Sequence, residues 1–423
     1  MFKVFANAWK IPDIRKKLLF TLMLLVVFRF GTFIPVPFVS ADQLKQLIGD
    51  GNSLFSMLDI FSGGAFSNAT IFAMSITPYV NSSIIMQLLT VAIPALERLS
   101  KEGEEGRKKI AQWTRYLTIV LAFIQATGLF FGLRAAFTRR DVLAFIVVTL
   151  TFTAGTAFLM WLGEQINEKG IGNGISLLIF AGIVSRLPQM TSAFIQYNKN
   201  GVLNWFTTLL ILVFALAIIA LVVLMNNAER RIPVQYAKRV VGRKMYGGQS
   251  THIPIKVAMA GVLPIIFAVS IISFPATIAQ FVGVTANSGG FWGGFLKVFS
   301  QGSPVYMILY FVLIIFFTYF YTEMQYNPIE MANNMKKNGG FIPGIRPGKP
   351  TSDFIRSVLN KITLVGAVFL ALVAVLPMLL TNSVGAGIAF GGTSVLIMVG
   401  VALETVKQLE SQMMMRHYKG FLD

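Results

Sequence analysis

The sequence predicts an all-α polytopic membrane protein whose helices enclose a watery funnel, and three observations lead to that prediction. Hydrophobic residues make up 55% of the 423 residues and charged residues only 13%, a balance that would leave a water-soluble protein covered with apolar patches. Ten apolar runs are long enough, or nearly so, to cross a bilayer. One further apolar pattern, Leu54 to Phe61, has about half of the roughly 20 residues that a span needs. It is therefore expected to stand inside the funnel as a half-helix.

The ten apolar runs set the order of the elements. They begin at Leu18, Ala69, Trp113, Val142, Ile175, Val202, Val257, Pro304, Ile362 and Ile388. Ten spans divide into two halves of five. Because five is an odd number, the second half must insert into the membrane with the orientation opposite to the first, as in inverted-repeat membrane folds. We therefore predict an N-terminal half over 18–200 and a C-terminal half over 201–410. A cytoplasmic amphipathic segment, 1–17, precedes them and a cytoplasmic tail, 411–423, follows.

Lys and Arg are concentrated in alternate connections. The chain has 36 of them against 18 Asp and Glu. Most fall in segment 1–17 and in loops 94–113, 163–174, 226–256 and 322–361. By the positive-inside bias we expect these loops and both termini to be cytoplasmic. The cluster Arg134, Arg139 and Arg140 departs from that bias, and nothing in the sequence explains it. The basic excess also predicts an anionic partner such as nucleic acid, acidic protein or lipid headgroups.

The second and seventh spans carry polar and proline interruptions in corresponding places of the two halves. In span two these are Pro78 and the run Asn81, Ser82, Ser83; in span seven they are Pro264, Ser270, Ser273 and Pro275. Non-helical backbone at membrane depth is tolerated only where protein buries it or where it lines a watery cavity. Broken spans in corresponding places therefore point to the functional interface.

Two of the basic loops are long and rich in turn residues. Loop 226–256 alternates apolar with basic residues and contains a Gly-Gly pair, which is compatible with a protruding hairpin. Loop 322–361 holds Arg346 on a tight turn among several Pro and Gly residues. Their length and turn chemistry favour a docking surface over a purely topological role.

Groups that carry chemistry are sparse. His252 and His417 are far apart, cysteine is absent, and the glycines of GIGNG at 170–174 lack the strand and the Lys-Ser/Thr of a phosphate loop. We interpret that run as a turn before the fifth span. Only Arg29 sits well inside an apolar run, so it should face the protein interior or a watery cavity. The residues alone leave open a channel, a secondary transporter for a small solute with broken helices, and a membrane-embedded enzyme. The missing catalytic groups disfavour the enzyme.

Eight stretches together resemble one family. They are FSGGAFS (61–67), ITPYVNSSIIMQLL (76–89), KEGEEGRKKIAQWTRY (101–116), MWLGEQINEKGIGNGIS (160–176), ERRIPVQYAKR (229–239), QSTHIPIKVAMAGVLPIIFA (249–268), NPIEMANNMKKNGGFIPGIRPGK (327–349) and FGGTSVLI (390–397). The match runs from the first span to the last. It resembles the bacterial SecY family, the pore subunits of the Sec protein-translocation channel.

The resemblance implies ten transmembrane helices in two inverted five-helix halves around a central hourglass pore, with a short plug half-helix at about 54–64. The implied pore ring is Ile76, Val80, Ile175, Ile179, Ile266 and Ile397. The implied plug residues are Leu54, Phe55, Met57, Leu58, Ile60, Phe61, Gly63 and Gly64. The implied lateral gate is lined by Asn81, Ser82, Ser83, Gln125 and Ser273. A ring of β-branched side chains can exclude ions by dewetting, yet it offers a passing chain no fixed hydrogen bonds.

The resemblance further implies a channel that passes unfolded secretory polypeptides across the bacterial cytoplasmic membrane and releases membrane segments sideways into lipid. The implied partners are the small subunits SecE and SecG, the SecA motor ATPase, the ribosome, signal sequences, nascent polypeptides and membrane lipids. Docking of the motor or ribosome would use Arg230, Arg231, Lys238, Arg239, Arg243, Lys244 and Arg346, because phosphate and acidic groups attract Lys and Arg. No cofactor, metal or enzymatic activity is expected.

Overall fold

The structure of the protein is a computed structural model, and most of it is helical. It describes residues 2–48, 59, 62–133, 136–199, 201, 205–236, 239–241, 244–246, 250–282, 291–299, 303–384 and 392–419. The N-terminal half holds α1 (Phe2–Lys10), α2 (Pro12–Gly31), α3 (Ala41–Ile48), α4 (Thr77–Ala92), α5 (Pro94–Lys101), α6 (Glu104–Gly132), α7 (Val142–Lys169) and α8 (Gly174–Lys199). The C-terminal half holds α9 (Trp205–Asn227), α10 (Leu263–Val282), α11 (Phe291–Val298), α12 (Pro304–Gln325), α13 (Pro328–Lys337), α14 (Lys349–Val384) and α15 (Gly392–Lys419).

Within the described residues, six helical segments are long and apolar enough to cross a membrane. They are α6, α7, most of α8, most of α9, the segment Pro304–Lys337 that contains α12, and most of α14. Helices α4 and α5 form a pair bent by 102° that would be a seventh span. The other three predicted spans correspond to α2, α10 and α15. Basic residues lie in the first and last turns of α2, and Pro275 lies inside α10.

The start predicted for span two is wrong. The apolar run begins at Ala69, but residues 62–76 form turns and one bridge, and the helix begins only at Thr77. Pro78 therefore opens α4 instead of interrupting it, because proline has no N–H to donate and its fixed φ suits the first helical turn. Helices also reach further into the basic loops than the apolar runs do. The segment 163–174 is helical to Lys169, and α13 lies within 322–361.

The hairpin predicted in loop 226–256 is confirmed. Strand β1 (Glu229–Tyr236) pairs antiparallel with β4 (Ser250–Lys256). Strands β2 (Arg239–Val241) and β3 (Lys244–Tyr246) pair antiparallel in a separate two-stranded sheet. A short strand β5 (Gly340–Phe341) joins the other edge of β1. Alternate residues Ile232 and Val234 are buried against α13 and α14, so this sheet has its own small apolar core. The strands are confined to the loops of an otherwise helical protein.

The two halves meet along two lines. On one side α4 and α6 contact α10, and on the other α8 contacts α15. Between these lines lies the largest apolar cluster, to which α2, α4, α7, α8, α10, α12, α14 and α15 all contribute. The end of the bundle that carries the predicted cytoplasmic loops and this sheet is called the basic end below, and the other is called the opposite end.

Candidate functional site

The 62–76 segment runs through the protein without forming a helix. Gly63 and Gly64 have φ of 68° and 86°, values that glycine adopts without steric cost, and Ala69 and Ser75 also have positive φ. Its backbone polar groups find partners beside α2. Val36 N–H donates to Ala69 O at 2.8 Å, and Ile71 N–H donates to the oxygen of residue 34 at 3.1 Å. These bonds and burial let irregular backbone persist at this depth.

Close helix packing holds this segment. The Phe72 ring stacks between those of Phe28 on α2 and Phe158 on α7, with centroids 6.0 Å away on each side. Gly155 of α7 lies so close that an added Cβ would approach Ile71 O to 2.0 Å. Since a backbone oxygen cannot move aside as a side chain can, only glycine permits this approach.

The six residues of the predicted ring lie together. Ile76, Val80, Ile179, Ile266 and Ile397 are all buried members of the central cluster, and half-buried Ile175 packs against it. They come from the start of α4, the first two turns of α8, the first turn of α10 and the second turn of α15. Each half thus contributes β-branched residues from two helices to the central apolar cluster. Its role as a constriction stays a prediction.

A buried ion pair that the sequence reading missed lies beside this cluster. Arg186 Nη1 is 2.8 Å from Asp59 Oδ2, and the side chains are 22% and 3% exposed. Arg186 lies inside α8. The signal that could have found the pair is the isolated Asp59 in an apolar stretch, since a buried carboxylate requires a partner. Arg29 lies inside the protein as expected, half-buried and donating through Nη1 to Gly63 O.

Most of the predicted plug lies outside the described residues. These positions are Leu54, Phe55, Met57, Leu58, Ile60 and Phe61. Gly63 and Gly64 are described and buried. A Cβ on Gly63 would lie 2.8 Å from Ser185 Oγ and 3.0 Å from Gly182 Cα, so this end of the plug packs directly on α8.

The predicted lateral gate residues lie on α4, α6 and α10, the helices that meet between the halves. Ser82 is buried, and Asn81, Ser83, Gln125 and Ser273 are half-buried. Several hydrogen bonds here run along the helices. Ser82 Oγ donates to Pro78 O, and Ser273 Oγ donates to Val269 O and Ser270 O. Ser83 Oγ accepts from Gln87 Nε2 on the same helix. The hydroxyls of these three serines thus each take part in a hydrogen bond within their own helix. Hydrogen bonding across the seam stays a prediction.

A cavity of about 260 Å³ opens at the basic end between the halves. Its lining mixes apolar residues with polar and charged ones, and the latter include Asn173, Ser176, Lys256, Tyr321, Glu404 and Lys407. Lys407 Nζ donates to Asn226 O at 2.8 Å and so ties α15 to the end of α9. This cavity agrees with the predicted watery funnel on the basic side of the apolar cluster.

The predicted docking residues lie in the basic loops. Arg230, Arg231 and Arg346 are exposed, and Arg231 Nε donates to Glu229 Oε1 at 2.7 Å. The turn that presents Arg346 is fixed by Thr351 Oγ1, which donates to the Arg346 carbonyl oxygen at 2.9 Å. Arg239 and Lys244 are described only as backbone of β2 and β3, and Lys238 and Arg243 lie outside the described residues.

Two helical halves share a central apolar cluster, with a cavity on one side of it and a buried irregular segment on the other, and this arrangement defines a polytopic membrane protein with a candidate pathway between its halves. The SecY family model matches residues 70–406. Protein translocase subunits SecY from Streptomyces galbus and Bacillus licheniformis are each 48% identical over the full length of both chains. The chain belongs to the SecY family and is a protein-conducting channel.

Solved structures agree in fold. A SecY channel studied for the way its plug domain stabilises the closed state superposes with a TM-score of 0.67 at 21% identity, covering 94% of this chain and 92% of that one. Canine Sec61 in a ribosome-channel complex superposes with a TM-score of 0.60 at 20% identity, over the same fractions of the two chains. The family assignment decides between the alternatives that the residues left open, in favour of a channel over a small-solute transporter.

Proposed function

We propose that polypeptides pass between the two halves, through a constriction formed by the predicted ring. The observation that carries this proposal is the burial of β-branched residues from α4, α8, α10 and α15 in a single cluster. Aliphatic walls exclude ions by dewetting and do not bind any particular sequence of a passing chain. Because such side chains have limited χ1 freedom, the ring widens by movement of its helices.

The 54–64 plug covers this ring from the opposite end in the resting state. The close approach of Gly63 to α8 supports that position. Opening occurs at the seam where α4 and α6 meet α10. The hydrogen bonds that Ser82 and Ser83 make run along α4 itself, so separating the halves need not break those two bonds. A sufficiently apolar signal sequence binds the parted state and shifts the population toward it.

The driving force comes from partners that dock on the basic end, which we assign to the cytoplasm together with both termini. The β1–β4 ribbon and the Arg346 turn present exposed guanidinium groups suited to anionic surfaces. We infer docking of the SecA motor and, alternatively, of the ribosome. Solved relatives bound to ribosomes, canine Sec61 and yeast Ssh1, support the second. SecE and SecG complete the complex in the bacterial cytoplasmic membrane.

Reconstitution tests the proposal. The purified complex is placed in vesicles with the motor ATPase, ATP and a fluorescent precursor, and protease is then added outside. A full-length precursor protected only when ATP and an intact signal sequence are present is the expected result. If no precursor were protected and the vesicles instead showed saturable uptake of a small solute, the proposal would be contradicted.

A further inference from the structure

We propose that the Asp59–Arg186 ion pair is the latch that holds the plug on α8, and that its strength sets how apolar a signal sequence must be to open the channel. The inference rests on the plug assignment made above. Asp59 lies within the plug and Arg186 lies on the helix that also supplies Ile175 and Ile179. The ion pair thus connects the plug to α8, one of the helices that form the predicted ring.

The two carboxylate oxygens have different partners. Asp59 Oδ1 accepts the Ser67 backbone N–H at 2.7 Å, whereas Oδ2 faces Arg186 Nη1 at 2.8 Å. The first bond fixes the turn that follows the plug, and the second attaches that turn to α8. The Asp59 carbonyl oxygen also accepts from Gly64 N at 2.9 Å and from Ser62 Oγ at 3.1 Å. These bonds hold the Asp59 backbone and one carboxylate oxygen in place, and the other carboxylate oxygen faces Arg186.

The position of Arg186 explains why the pair bears on the plug. Twelve residues separate Arg186 from Gly174 at the start of α8, which places it about 18 Å along the helix. It lies seven residues beyond Ile179, or about 10 Å toward the opposite end. A cation at that depth requires a counter-charge or water. In the closed state Asp59 supplies the counter-charge, directly beyond the ring.

The contact is suited to a latch that must release. Burial of the two charges removes their hydration, and this cost offsets much of their mutual attraction. When the plug moves into a watery pore, both charges are hydrated again. The ion pair therefore favours one closed position of the plug but can dissociate when the channel opens. Arg29, which donates to Gly63 O at 3.3 Å, holds the neighbouring backbone from the α2 side.

The absence of cysteine from the sequence permits a direct measure of plug position. Ser62 is fully buried, so a Ser62→Cys reporter reacts with a membrane-impermeant maleimide only when the plug leaves its seat. All variants carry this reporter in the complete complex. Arg186→Gln leaves an anion that is 3% exposed without its partner, so labelling should accelerate about tenfold or more.

The remaining variants separate the ion pair from simple packing. Asp59→Asn keeps an oxygen that can accept the Ser67 N–H. It leaves Arg186, the more exposed partner, without its counter-charge, so it should accelerate labelling less than Arg186→Gln does. The double variant Asp59→Asn with Arg186→Gln strands no charge and should label more slowly than Arg186→Gln alone, a coupling that additive effects do not produce. Arg186→Lys should restore most of the parent's protection. Arg140→Gln, at an exposed arginine outside the helices, is the matched control and should not change labelling.

The result has a second readout, the export of precursors with weakened signal sequences, which should increase in the same order as labelling. Unchanged labelling in Arg186→Gln, or additive effects in the double variant, would overturn the latch. Faster labelling with coupling but without increased resting conductance would support the latch and count against sealing by the plug. Failure of the latch and failure of the plug assignment are thereby distinguished.

Discussion

Arg29 of α2 donates a hydrogen bond through Nη1 to the backbone oxygen of Gly63 at 3.3 Å, and its guanidinium lies 4.8 Å from the centroid of the Phe33 ring. A cation in the last turn of an apolar helix thus contacts the irregular segment next to the predicted plug. A charged side chain within an apolar run is costly unless it faces the protein interior. The hydrogen bond to Gly63 O shows that the Arg29 side chain does face the interior. The same arrangement indicates which substitutions will disturb the closed channel.

Replacing Ile266 with Gly or Ile76 with Asn should raise the resting ion conductance of the complex in planar bilayers. Ile266→Gly removes a wall of the apolar cluster and Ile76→Asn introduces hydrogen-bonding groups, and both allow water into a site that dewetting would otherwise close. Ile308→Gly is the matched control, because Ile308 is 66% exposed on α12, outside this cluster. Conductance that remains at the parent's value in both ring variants would remove these residues from the seal.

Deleting residues 54–64 should loosen the seal and relax the need for a strong signal sequence. The deletion removes contacts that stabilise the closed state and that the open state lacks, so the population shifts toward opening. The measurement is export of precursors with intact and defective signals, side by side. Complete rejection of the defective precursors by the deletion variant would contradict the plug assignment.

Arg346→Glu should abolish motor-driven translocation while leaving the complex assembled. The substitution reverses a charge on an exposed turn whose backbone is held by Thr351, so the docking surface changes without loss of a core. Arg356→Glu, at an exposed arginine of α14, is the comparison. Protected precursor is measured in vesicles, and assembly by co-purification. Normal transport by Arg346→Glu would exclude Arg346 from docking.

Gly155→Ala should destabilise the protein by about 1–3 kcal/mol, the usual range for overpacking a close contact. The added Cβ would approach Ile71 O to 2.0 Å and push α7 away from the 62–76 segment. Gly294→Ala on α11 has no atom within 4 Å of its added Cβ and should change stability by no more than about 1 kcal/mol. Thermal unfolding of both variants in detergent is the measurement, and equal midpoints would show that the close approach does not hold.

Much of this architecture could be predicted from the chain. Apolar runs separated by basic loops predicted the order of the membrane spans, because the bilayer requires about 20 apolar residues per span. The alternation of loop 226–256 indicated the hairpin that β1 and β4 form. The depth of Arg29 indicated that it faces inward. These features depend on local composition and on the solvent, so no long-range information was needed.

The start of α4 and the partner of Asp59 could not be predicted in the same way. Residues 69–76 are apolar enough for a span, yet they form turns. Residues 34 and 36, which follow α2, supply hydrogen bonds to them, and α7 supplies a close-packed wall at Gly155. Arg186 lies far from Asp59 in sequence, and only the folding of α8 against the plug brings them within 2.8 Å. The sequence by itself determined which segments lie in the membrane, through the free energy of burying apolar groups. Only the tertiary structure decided which of those segments leave the helical form and which charges meet, since both depend on partners that distant parts of the chain supply.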